Sequence, residues 1–119
     1  MNEQINENNQ EGTLSIDVYT KDDELVILAP IAGASLDNIE ILVEDDILII
    51  KGQRVPPEIV EENNYQHKEC FWGAFSRTII LPRDLDYDNI KAFYHNGILT
   101  IRIPKKTEKS KKRIFIQTE

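Results

Sequence analysis

Long apolar runs are absent from this 119-residue chain. Nothing in it approaches the roughly 18 consecutive apolar residues of a membrane-spanning helix. Cysteine is almost absent too: Cys70 stands alone, which excludes an internal disulfide scaffold and fits a reducing compartment. The opening stretch MNEQINENNQEG has no basic start and no apolar centre, so it does not read as a secretory signal. Apolar residues nowhere recur with a sustained helical period, and no segment repeats. Paired carboxylates, a nucleophile–base–orienter set and a phosphate-cradling glycine loop are all missing. The chain therefore reads as a cytoplasmic non-enzyme with no cofactor.

Hydrophobic residues make up 40% and charged residues 29%, an ordinary globular composition, and the length suits one domain. The net charge of −7 is unevenly placed: residues 105–119 carry +4 and residues 1–104 carry −11. An acidic body repels nucleic acid and anionic membrane, so neither is expected as a partner.

Strand signals follow one another almost without a break. Leu14, Ile16 and Val18 alternate with Ser15, Asp17 and Tyr19, and Lys21-Asp22-Asp23 makes a turn into the apolar run 24–30. Ile39, Ile41 and Val43 alternate with Glu40, Leu42 and Glu44, after which Glu44-Asp45-Asp46 turns the chain into 47–51. A strand over 75–81 stops at Pro82, which cannot donate to a ladder. Strands 90–95 and 98–103 flank Asn96-Gly97, a pair that tolerates the positive φ of a tight hairpin. About seven short strands imply a sandwich or barrel. The sandwich fits better, because some strands alternate while 47–50 is apolar on both faces.

Two segments do not suit a self-contained sandwich. Residues 54–73 form a long connection with little strand character, and such loops are uncommon unless functional. A short stretch at 65–68 could lend itself as a strand to a second copy and cover an exposed edge. Further on, 105–113 is a charged tether, and Ile114-Phe115-Ile116 follows it. Ile114 and Ile116 share one face of an extended chain, so this apolar tripeptide should dock on its own chain or another.

Three stretches, taken together, resemble the small heat-shock protein family. Gly73-Ala74-Phe75-Ser76-Arg77-Thr78-Ile79-Ile80-Leu81-Pro82 resembles its G-x-F-x-R-x-apolar-x-L-P strand. Ala92-Phe93-Tyr94-His95-Asn96-Gly97-Ile98-Leu99 resembles its A-x-x-x-N-G-apolar-L hairpin, with Ala92, Asn96, Gly97 and Leu99 as the matching positions. Ile114-Phe115-Ile116 resembles its terminal I-x-I anchor. The resemblance spans about 14–116.

It implies an all-β, two-sheet antiparallel sandwich, immunoglobulin-like and of the alpha-crystallin type, over 13–104, with a long strand-exchange loop at 54–73. A short polar arm at 1–12 would precede it and a flexible extension at 105–119 would follow. The implied activity is an ATP-independent holdase that keeps partly unfolded client proteins from aggregating. The implied dimer sets 65–68 against the partner's strand near 14–19, with Tyr65, His67, Glu69, Arg77, Leu14 and Ile16 at the contact. Assembly beyond the homodimer would use Ile114 and Ile116 as anchors in a groove between 39–43 and 90–94, lined by Ile41, Val43 and Phe93. The chain departs from the family pattern at Cys70, where an arginine is usual, and in an arm of about twelve polar residues where a long apolar one is usual. The short arm leaves open a subunit that modulates assembly by larger relatives. A non-chaperone interaction module is the rival from another class.

Other chemistry is poorly supported. His67, Cys70 and His95 are too few for a closed zinc site, so no metal is expected. Asp84, Asp86 and Asp88 have the first spacings of a calcium loop, but Asn89 and His95 stand where glycine and glutamate are required. Cys70 has no orienting partners for nucleophilic work. Arg77 shares a strand face with Phe75 and Ile79, so it is either stacked on them or paired with an acid across a dimer contact. Phe71 and Trp72 suit either a core or a dimer contact.

Overall fold

The computed structural model describes residues 12–106 and 114–119. The expected polar arm (but for Gly12) and most of the tether lie outside them. Eight strands follow in chain order: β1 (Gly12–Thr13), β2 (Asp17–Lys21), β3 (Glu24–Pro30), β4 (Ile39–Glu44), β5 (Ile47–Arg54), β6 (Gly73–Ile80), β7 (Lys91–His95) and β8 (Ile98–Pro104). They form two four-stranded sheets, ordered β1-β6-β5-β4 and β2-β3-β8-β7. All pairings are antiparallel except that of the two-residue β1 with β6. The fold is the all-β sandwich expected, with three 3-10 turns in its connections.

Turn chemistry sets the hairpins. Asp22 and Asp23 both have positive φ (53° and 62°), as do Asn96 and Gly97 (52° and 77°), the backbone that two-residue hairpins need to match strand twist. Short polar side chains and glycine reach it at least cost.

The core follows the period of two. Leu25, Ile27 and Ala29 of β3, Leu48 and Ile50 of β5, Phe75 of β6, and Leu99, Ile101 and Ile103 of β8 are buried in one cluster. Four connecting residues seal it, among them Leu81 directly after β6. Leu14, between β1 and β2, is buried at the side where the chain changes sheets. Ile31 plugs the end after β3, and Leu85 plugs the other end between β6 and β7. This corrects one expectation: the regular strand starts at Asp17 rather than Leu14, because Leu14 turns inward at the crossing.

Phe75 fits because Gly52, its cross-strand partner, has no side chain. A methyl group added at Gly52 would lie 2.2 Å from the Asn38 carbonyl oxygen and 2.8 Å from the Phe75 ring. Gly97 differs: its nearest neighbour would be 3.9 Å away, but φ is +77°. Gly52→Ala should therefore cost about 2–3 kcal/mol by overpacking and Gly97→Ala about 1–2 kcal/mol by backbone strain. Urea unfolding of both variants checks the order, and an unaffected Gly52→Ala would refute this account of the core.

Candidate functional site

The side plug at Leu14 lies on the β1/β2 flank, so the remaining edges, β4 and β7, flank the opposite side together. On β4, Ile39, Ile41 and Val43 stand across from Gly52, Ile50 and Leu48, which puts them on the inward face. On β7, Ala92 and Tyr94 stand across from the buried Ile101 and Leu99. Ile39, Ile41, Ile90 and Tyr94 are half-buried against the core, while Val43 remains 37% exposed. The Tyr94 hydroxyl donates to the Ile31 carbonyl at 2.5 Å, with the Ala34 carbonyl a second acceptor at 3.1 Å. This pins β7 to the crossover that leads into β4.

Phe93 does not belong to that inward set. It stands across from Thr100, one step out of phase with Tyr94, and is 54% exposed on the outer face of its sheet. A one-residue step reverses the face. Ile41 and Val43 thus point toward the groove and Phe93 away from it, and Tyr94 is the β7 residue that parity in the Asn96-Gly97 hairpin could have selected.

The terminal tripeptide is open to solvent: Ile114 is 79%, Phe115 74% and Ile116 96% exposed. At the other flank, β2 is an edge strand exposed along its whole length. The connection 55–72 carries no strand and a single 3-10 turn, Glu62–Asn64. Within it the Lys68 ammonium donates to both Glu62 carboxylate oxygens, at 2.9 and 2.7 Å, and lies 4.8 Å over the Tyr65 ring. The bond to Glu62 raises the Lys68 pKa above its ordinary value, against some desolvation. His67, Glu69 and Cys70 are exposed and Tyr65 is half-buried.

The end of the loop is docked on its own domain. Phe71 lies against Gly12 and Trp72 against Gly33, since methyl groups there would fall 2.8 and 2.9 Å from the rings. Arg54 reaches the Ala32 carbonyl at 3.0 Å and stacks 5.1 Å from the Phe75 ring centre.

Of the other residues expected at a dimer contact, Arg77 donates to the Leu14 carbonyl at 2.9 Å, so it has a partner within its own chain. Leu14 is only 1% exposed, its side chain held in the domain's own core and not at the surface. Ile16 is half-buried against that core.

A further apolar area covers the outer face of the β4–β5–β6 sheet. Leu42 stands across from Ile49, and Ile47 across from Ile80, with Ile80 77% exposed. The unbroken apolar run at 47–50 carried its signal.

Asp86 spends its carboxylate on the Asp88 amide and the Asn89 side chain, capping the turn Tyr87–Asn89. Among the described residues no three His, Cys, Asp or Glu side chains gather as metal ligands, and no helix is long and apolar enough to cross a membrane.

The model of the Hsp20/alpha crystallin family matches residues 17–118. Small heat shock protein C4 of Rickettsia felis is 34% identical over 84% of this chain and 61% of its own length. Small heat shock protein C2 of the same organism is 33% identical, with 66% of its own length matched. The chain thus spans a little under two thirds of these two relatives. Among solved structures, heat shock protein 16.0 of Schizosaccharomyces pombe superposes with a TM-score of 0.73 at 32% identity, over 90% of this chain and 100% of that one. A small heat-shock protein of Xylella fastidiosa gives 0.79 at 28% identity, over 91% and 99%. On this sandwich, this hairpin and this sequence similarity, the chain belongs to the Hsp20/alpha crystallin family.

Proposed function

We propose that this protein is an ATP-independent holdase of the cytoplasm, binding partly unfolded proteins and keeping them from aggregating. The observation that carries the reading is apolar surface left uncovered on a fold of this family, above all Ile114 and Ile116, exposed by 79 and 96%. The chain has two places where such surface can be met. One is the β4/β7 groove, with Ile39, Ile41 and Val43 on one wall and Ala92 and Tyr94 on the other. The second is the outer face at Leu42, Ile47 and Ile80. The work is binding rather than catalysis.

In this reading the unit is a homodimer. The exposed edge β2 receives residues 65–68 of a partner, which completes its ladder and removes an aggregation-prone edge. The polar loop, held by Lys68 and Glu62, supplies the lending arm. Assembly beyond the dimer uses the tail of a neighbouring copy, with Ile114 and Ile116 seated in the groove. Their two-residue spacing equals that of Ile41 and Val43, so both pairs lie along one extended register.

The energetics favour exchange over permanence. Burying each isoleucine contributes roughly 1.5–3 kcal/mol, while ordering several tether residues costs about 1 kcal/mol or more apiece. A tail held by so small a surplus leaves the groove readily, and an apolar client segment competes for the same place.

Light scattering from a heat-labile client should fall in the presence of this protein without nucleotide; undiminished scattering from a folded dimer would overturn the holdase reading. Ile114→Ala with Ile116→Ala should weaken tail docking by at least about tenfold and lower the solution mass toward the dimer. Replacing 56–68 by a short turn should yield monomers, and a persisting dimer would rule out strand exchange.

A further inference from the structure

The two ends of the groove differ in charge. At the end where β4 finishes lie Glu44, Asp45 and Asp46, and Asp84 and Asp88 lead into β7 from the same end. Glu44, Asp45, Asp84 and Asp88 are exposed; Glu44 stands across from Ile47, so it leaves β4 at the outer rim of the groove's end rather than inside the groove. Three cations offset part of this charge: Arg83, 3.9 Å from Asp46, Lys106, which lines one hollow with Asp45 and Asp46, and Lys91 at the start of β7. Neither Glu44 nor Asp45 forms an ion pair among the described residues. At the opposite end Asp37 and Glu40 are the acids, and Glu40 faces Lys51 across the strand pair. Five carboxylates meet three cations at the Glu44–Asp46 end, whereas Asp37 and Glu40 are matched by Lys51 and by Arg54, which reaches the Ala32 carbonyl. The excess of carboxylates therefore lies at the Glu44–Asp46 end.

The tail is asymmetric in the complementary sense. Lys111, Lys112 and Arg113 directly precede Ile114, whereas Gln117, Thr118 and Glu119 follow Ile116. A segment laid along the groove with its basic triad toward Ile39 would set three cations beside the less acidic end and Glu119 near Glu44. The reverse placement sets the cations beside Glu44 and Asp45.

We propose that this charge match fixes the direction of the docked tail. A neighbouring copy's segment 111–116 runs antiparallel to β4, with the basic triad at the Glu44–Asp45 end, Ile114 nearest Val43 and Ile116 toward Ile39. The proposal rests on groove docking as read above, and it adds a regulator of that site, the ionic strength. Surface ion pairs are individually weak, but three cations against one acidic turn act together. Salt at about 1 M shrinks the screening length to ~3 Å and removes their effect.

The test uses a labelled synthetic peptide of residues 109–119, titrated into the full chain carrying Ile114→Ala and Ile116→Ala, which keeps its own tail out of the groove. At about 0.05 M salt, changing Lys111, Lys112 and Arg113 of the peptide to Gln should weaken binding about tenfold. Glu44→Gln with Asp45→Asn in the protein should do the same, Asn being tolerated at the positive φ of 57° at Asp45. Both losses should vanish at about 1 M salt. Glu44→Lys in the protein should be rescued by Lys111→Glu and Lys112→Glu in the peptide.

Equal binding of native and Gln-substituted peptides at low salt would overturn the directional proposal while leaving docking intact. Loss with the peptide change but not with the Glu44 and Asp45 changes would overturn it as well, by placing the cations elsewhere. A peptide with Ile114→Ala and Ile116→Ala that binds as well as the native one would instead overturn groove docking itself.

Discussion

The crossing at Leu14 determines how the sandwich meets its surroundings. Leu14 passes from the β6 side of one sheet to the β3 side of the other with its side chain buried and its carbonyl held by Arg77 at 2.9 Å. The half-buried Arg77 guanidinium shares a strand face with Phe75 and Ile79, and partial desolvation makes a hydrogen-bond acceptor there favourable. The Leu14 carbonyl, left without a strand partner by the change of sheet, is a ready acceptor. One interaction thus meets two needs and closes one flank, while Ile31 and Leu85 close the ends. The β4/β7 flank has no such plug. The chain reaches this flank by crossovers at the ends of the sandwich, from β3 into β4 and from β6 into β7, and the half-buried Ile41 and Tyr94 are left to line the side between them.

An open flank puts apolar residues in intermediate environments. Ile41 is half-buried and Val43 37% exposed because each has a covered sheet behind it and nothing beyond the edge strand. Covering them gains a few kcal/mol at most, too little to hold a tether firmly and enough to bias an equilibrium. The terminal isoleucines meet the same limit from the other side. In the proposed function, weak and reversible cover lets this surface become available to clients, and an edge with many apolar contacts of its own would not exchange.

Much of this was legible in the sequence, and the reasons it failed elsewhere are specific. Turn residues, alternation and short apolar runs located most of the strands, since Asp22-Asp23 and Asn96-Gly97 read locally as hairpins, 39–44 alternates, and 24–30 and 47–51 stand out as continuous apolar stretches. Phe93 was assigned to the groove although Tyr94 has the inward parity; the error was one of phase, and the ladder partners Thr100 and Leu99 settle it. Leu14 alternates like a strand residue, yet its face is set by the sheet change, a tertiary event with no local signal. The strand expected over 47–51 in fact runs on to Arg54, and Gly52 within it admits Phe75 and the Asn38 carbonyl. The docking of Phe71 and Trp72 onto Gly12 and Gly33 joins residues far apart in sequence and has no periodicity at all.

The long loop shows how an exposed segment can be ready for a partner without being packed. Lys68 and Glu62 are largely solvated, so their ion pair contributes little to overall stability. It closes a seven-residue span around Tyr65, whose ring also contacts the ammonium, and so narrows the conformations available to 65–68. Each residue ordered before association is one whose entropy, about 1–2 kcal/mol, is not lost on pairing. At the far end Phe71 and Trp72 are already seated on the domain, so the loop is anchored where it rejoins β6. An arm anchored at its base and clipped at its tip can reach a partner's β2 at lower entropic cost than a free loop of equal length. Residues 65–68 belong to no strand of their own chain, and the proposed pairing with another copy needs that backbone to be available.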